Sequence, residues 1–132
     1  MDAVAKGTFE VELQPQGDPD AAEGVSLGRM SLRKTFRGDL VATGQGTMLT
    51  AMTPVKGSAG YVAIERVQGL LHGRRGSFVL QHSGSMADGA QQLSITVVPG
   101  SGTGDLTGLS GRFGLRIEGA LHCYELDYCL PG

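Results

Sequence analysis

Residues 97–111 read "VVPGSGTGDLTGLSG": five glycines in fifteen residues, straight after an apolar run. Such a stretch is either a phosphate-binding loop or a piece of architecture. A phosphate loop of the GxxxxGK[ST] type needs a lysine and a hydroxyl to hold phosphates and magnesium, and this stretch has no lysine. A dinucleotide fingerprint, GxGxxG, must open a helix after a strand. Here the alternating segment "RFGLRIEG" (112–119) follows, which has the period of a strand. The glycines therefore read as architecture. Glycine tolerates positive φ and close backbone approach, so the segment is expected to turn a barrel corner and to present a short bulged strand.

Working outward, apolar and polar residues alternate with the period of half-buried strands. Phe9, Val11 and Leu13 share one face, opposite Thr8, Glu10 and Glu12. Met30, Leu32 and Phe36 align, as do Leu93, Ile95 and Val97, and Phe113, Leu115 and Ile117. His122, Tyr124, Leu126 and Tyr128 form a fifth such row. No window carries a helical stripe of ten or more residues, and "DPDAAEGVSLG" (18–28) reads as a loop. The strand spans fall near 10–38, 39–52, 60–70, 74–84, 90–99 and 112–130, the first and last each holding two strands. "HGRRG" and "ADGA" are hairpin-length connections. The expectation is an all-β chain: one domain over 1–132, folded as an eight-stranded antiparallel β-barrel, lipocalin-like in outline. Closure removes the edge strands and leaves room for side chains or one small ligand.

The bulk composition narrows the function. The chain has 132 residues, 40% of them hydrophobic, and a formal charge of −2. It has no basic field for nucleic acid. The N-terminus has no long apolar stretch, so neither a signal peptide nor a membrane span is expected, and the default location is cytoplasmic. Cys123 and Cys129 fall in one predicted strand. Six residues of strand span about 20 Å, too far for a disulfide, and free thiols fit a reducing compartment.

Four segments together are similar to a bacterial family, domain of unknown function 3224: "KTFRGDL" (34–40), "YVAIERVQGLLHGRRGSFVLQHSG" (61–84), "VVPGSGTGDLTGLSG" (97–111) and "HCYELDYCL" (122–130). The GSGTGxLxGLxG pattern also resembles the glycine-rich motif of allene oxide cyclases and dirigent proteins. The resemblance implies an eight-stranded barrel of the allene-oxide-cyclase type. It implies no particular reaction. The cyclases act on apolar small molecules inside such barrels without metal or redox cofactor.

"GSFVLQHSG" (76–84) is the best candidate segment for chemistry. Phe78, Leu80 and His82 share one face, Val79 and Gln81 the other. If the apolar face points inward, His82 is a general base or a ligand hydrogen-bonder in the lumen; the alternative is a structural histidine. His122 and Tyr124 would join it if their strand faces inward too; the alternative is an outer aromatic strip used in assembly. Glu65 shares a face with Tyr61, Ala63 and Val67, so it wants a partner, and Lys34, between Leu32 and Phe36, can supply one. Glu65 is then half of a structural ion pair, or an acid–base group set among apolar neighbours. His82, Glu65 and Tyr124 are thus the catalytic candidates. Lys34, Tyr61, Phe78, Leu80, His122 and Tyr128 are the candidates for ligand contact.

The histidines, His72, His82 and His122, are not at metal-ligand spacing, and His72 falls in a hairpin where solvation is expected. No GxSxG elbow is present. Neither metal nor cofactor is expected. Three functions remain: a cofactor-independent isomerase or cyclase acting on an apolar small molecule, a non-catalytic carrier or sensor of one, or a filled barrel used for assembly. Apolar residues on both faces of "YVAIERV" and "FVLQHSG" further suggest a homodimer or homotrimer.

Overall fold

The computed structural model describes residues 2–131. Its strands are β1 (Asp2–Pro15), β2 (Asp20–Ala22), β3 (Val25–Gly38), β4 (Leu40–Met52), β5 (Ala59–Leu71), β6 (Arg74–Ala87), β7 (Ala90–Val97), β8 (Ser110–Glu118) and β9 (Leu121–Cys129). A single 3₁₀ turn, η1 (Gly104–Leu106), lies between β7 and β8, and no α-helix occurs among the described residues. The sheet runs β1-β9-β8-β7-β6-β5-β4-β3 and closes where β1 pairs with β3. This is the expected closed, eight-stranded antiparallel barrel. The added strand β2 extends β3 at one end.

Turn chemistry sets the register. Glu23-Gly24, His72-Gly73 and Asp88-Gly89 each place two consecutive residues at positive φ. That is the type I′ geometry, whose twist matches antiparallel strands. It also explains why "DPDAAEGVSLG" is more ordered than a loop. The tight Glu23-Gly24 turn lets Ala22 pair with Val25 and Asp20 with Leu27.

The glycine-rich stretch is a corner without a bulged strand. β7 stops at Val97, opposite Leu80, so the first half of β6 lacks a strand partner on that side. The stretch supplies one. Val98 N–H donates to Val79 O (2.9 Å) and Thr103 N–H to Ser77 O (2.8 Å). Ser101 Oγ and Thr103 Oγ1 accept from Val79 N and Ser77 N, each at 3.0 Å. Gly104, at φ 58°, starts the turn that buries Leu106 and Leu109 over the barrel end. Backbone groups left over from the ladder are thus satisfied.

The two ends of the barrel differ. Leu40, Leu71, Phe78, Leu80, Leu106, Leu109, Leu126 and Tyr128 fill one end with fully or nearly fully buried side chains. Toward the other end the inward rows lose cover. Leu13, Leu93 and Ile117 sit on the expected faces but are 44%, 41% and 62% exposed. The strands overshoot the core there and form an open mouth.

Candidate functional site

Three charged or polar side chains meet in the barrel interior: Lys34, Glu65 and His82, at 8%, 0% and 4% exposure. Alternation turns each of them inward, Lys34 between Leu32 and Phe36 on β3, Glu65 between Ala63 and Val67 on β5, and His82 beyond Leu80 on β6. Lys34 and Glu65 belong to strands separated by β4. They meet because Gly44, opposite both Lys34 and Val67, and Gly46, opposite Glu65, place no side chain between them. His82 pairs with Ala63, which sets it diagonal to Glu65 across one strand.

Glu65 Oε1 accepts from Lys34 Nζ at 3.0 Å and from His82 Nε2 at 2.9 Å. The carboxylate is an acceptor, so Nε2 carries the proton in this contact. Lys34 Nζ is also surrounded by aromatic faces, 5.1 Å from the Phe9 centroid and 5.9 Å from those of Phe36 and Phe113. Cation–π attraction from these rings replaces part of its lost hydration. Glu65 Oε2 is buried and has no hydrogen-bond partner among the described residues. A buried carboxylate oxygen left unpaired is costly, so it is a feature to be explained.

Above this trio the mouth holds a cavity of about 320 Å³, lined mainly by Met48, Thr50, Met52, Tyr61, Gly84, Met86, Leu93, Leu115 and Ile117. It opens where β7 and β8 part: the two strands share one pair, Thr96 with Arg112, and the ladder does not continue toward the mouth. Tyr61 links the two regions. It lines the cavity, and its phenol is raised above the ordinary value by burial and by the charge of Glu65.

The structure brings four expected site residues together: Lys34, Tyr61, Glu65 and His82. Phe78 and Leu80 lie in the packed core, where they make no part of the mouth. His122 faces inward, stacked on Phe9 at 5.2 Å. Tyr124 also faces inward, but its hydroxyl serves the backbone. It accepts from Leu40 N (2.8 Å) and donates to Arg37 O (2.9 Å), fixing the β3–β4 turn. Tyr128 hydrogen-bonds His72 at the filled end, so His72 is engaged where solvation was expected. Sequence reasoning missed the methionines. Four of the chain's five, Met30, Met48, Met52 and Met86, stand at even positions of β3, β4 and β6, on the inward rows at the mouth. The signal was present in that shared parity. No cluster of three or more His, Cys, Asp or Glu side chains fit for a metal occurs among the described residues. Cys123 and Cys129 are not joined by a disulfide. Among the described residues no helix is long and apolar enough to cross a membrane.

The chain is an antiparallel β-barrel with one packed end, a buried ion trio and an open mouth. The chain matches, over residues 5–128, the family described as "Protein of unknown function (DUF3224)", and it belongs to that family. A crystal structure of a protein with unknown function from the same family, from Shewanella oneidensis MR-1, is similar throughout. It is 53% identical, with 100% of this chain and 99% of that one covered, at a TM-score of 0.95. No curated protein matches the chain.

Proposed function

We propose that the protein binds an apolar small molecule in the open mouth of the barrel, as a carrier or sensor. The observation that carries this reading is the cavity itself: about 320 Å³, lined by three methionines, Leu93, Leu115, Ile117 and Tyr61, with Thr50, Ser85, Gln91 and Gln92 as uncharged polar groups. Methionine adapts its shape to irregular apolar ligands. Concave apolar sites with few polar groups are the usual form of ligand pockets. The likeness of the glycine-rich motif to that of allene oxide cyclases supports the same reading at the level of fold alone.

A second reading, a cofactor-independent isomerase or cyclase, is favoured by one observation, the unpartnered Glu65 Oε2 next to His82. In it Tyr61 polarises the ligand, and Glu65 with His82 takes and returns a proton. The trio lies outside the cavity lining, which supports the binding reading over the catalytic one. The test is a pull-down of apolar metabolites on wild type, His82→Ala and Gln81→Ala. Gln81 is exposed on the outer face, so its loss should leave capture intact. His82 is not part of the lining, so His82→Ala should retain capture as well; if Gln81→Ala abolishes capture, the site is wrongly placed. Conversion of the captured compound by wild type but not by Glu65→Gln would favour the enzyme; unchanged compound favours the carrier.

A further inference from the structure

We propose that the ligand of the mouth is an uncharged molecule whose oxygen acceptor, a ketone, aldehyde or ester carbonyl, is received by the Tyr61 hydroxyl. This rests on the binding reading above and names the class of ligand.

The mouth lining contains no lysine, arginine, histidine, aspartate or glutamate. An ionised ligand group drawn into it would lose hydration without gaining a counter-ion, which is strongly unfavourable. The nearest interior cation cannot serve. Lys34 Nζ is committed to Glu65 Oε1 at 3.0 Å and sits among three phenylalanine rings. The Glu65 charge behind Tyr61 further disfavours an anion.

Tyr61 is placed to donate. Its ring packs on Gly84, where a Cβ would collide with ring carbons, so that glycine admits the aromatic ring and fixes its position. Its hydroxyl engages in no hydrogen bond among the described residues. Burial and the neighbouring carboxylate keep it protonated at neutral pH. A protonated, unpaired hydroxyl at the inner edge of an apolar cavity selects an acceptor. Thr50, Ser85, Gln91 and Gln92 add uncharged polar groups to the lining, and Met48, Met52, Met86, Leu93, Leu115 and Ile117 favour hydrocarbon for the rest of the ligand.

The experiment compares three matched probes on the full chain by calorimetry: 2-octanone, octane and octanoate. The expected order is 2-octanone first, with octanoate at least tenfold weaker. Tyr61→Phe should lower ketone affinity about threefold to tenfold, the range of one hydrogen bond, and leave octane unchanged. A second readout is independent of that variant's stability. The ketone carbonyl carbon, isotope-labelled, should shift downfield on binding to wild type, as it does when it accepts a hydrogen bond. Octanoate binding as tightly as the ketone, or an unshifted carbonyl, overturns the proposal while the binding reading stands. If none of the three probes binds, the binding reading fails and takes the proposal with it.

Discussion

Glu65 occupies the space that a side chain at Gly44 would need: a Cβ built on Gly44 would collide with Glu65 Oε2 and crowd Phe36. The glycine in β4 is therefore what lets an acid from β5 and a lysine from β3 share one point in the barrel. Gly44→Ala should destabilise the protein by about 1–3 kcal/mol, the range of overpacked cores. In a Glu65→Ala background the same change should cost less, because the blocking oxygen is gone. Urea denaturation of the four chains checks this, and equal costs in both backgrounds would contradict it.

The ion trio predicts an asymmetric mutant series. Lys34→Met leaves the Glu65 carboxylate buried with His82 alone, and removing one partner of a buried pair costs about 3–5 kcal/mol. Lys34→Met with Glu65→Gln removes both charges and should recover most of that loss. Denaturant midpoints read the effect. A double variant no more stable than Lys34→Met would mean that the pair is not coupled.

Tyr124→Phe tests a structural assignment. The variant leaves Leu40 N–H and Arg37 C=O without their hydroxyl partner, which costs about 1–3 kcal/mol. Thermal melting should fall while ligand affinity stays as in wild type. Loss of binding with unchanged stability would restore Tyr124 to the site.

Alkaline pH should unfold the barrel for a definable reason. The chain has three tyrosines, and all three phenols are raised above 10.0. Burial is the main cause in each. The Glu65 charge adds to it for Tyr61 and the Asp39 charge for Tyr124 and Tyr128; the Leu40 backbone contact and Arg74 oppose it for Tyr124 and Tyr128 respectively. The fold thus favours the neutral phenols. That stabilisation is complete below the unfolded value of about 10 and is lost as pH rises through the higher folded values. Phenolate absorbance, followed together with circular dichroism, should show no tyrosine titrating at its ordinary pH in folded protein. A midpoint near 10 without unfolding would contradict the burial.

Period-2 alternation made the barrel legible because each strand buries one face, and it placed Lys34, Glu65 and His82 on inward rows. Alternation tells which face a residue takes, but not its height in the barrel. That is why Tyr124, Tyr128 and His122 were grouped with His82, although Tyr124 serves the β3–β4 turn, Tyr128 bonds His72 and His122 stacks on Phe9. Height depends on the stagger between strands, which follows from pairings such as Lys34 with Gly44 and Glu65 with Gly46. The missing ladder between β7 and β8 was equally hidden, since no local pattern marks where two strands part.

Uptake of a neutral apolar molecule by the mouth can be observed by native mass spectrometry. Wild type and Leu93→Arg, which puts a cation at the cavity edge, are incubated with a lipid-soluble cell extract and transferred intact. Wild type should carry one additional neutral mass that survives gentle transfer, and Leu93→Arg should arrive without it. A bare wild-type protein, or the same adduct on both, would mean that the mouth is not where such a molecule binds.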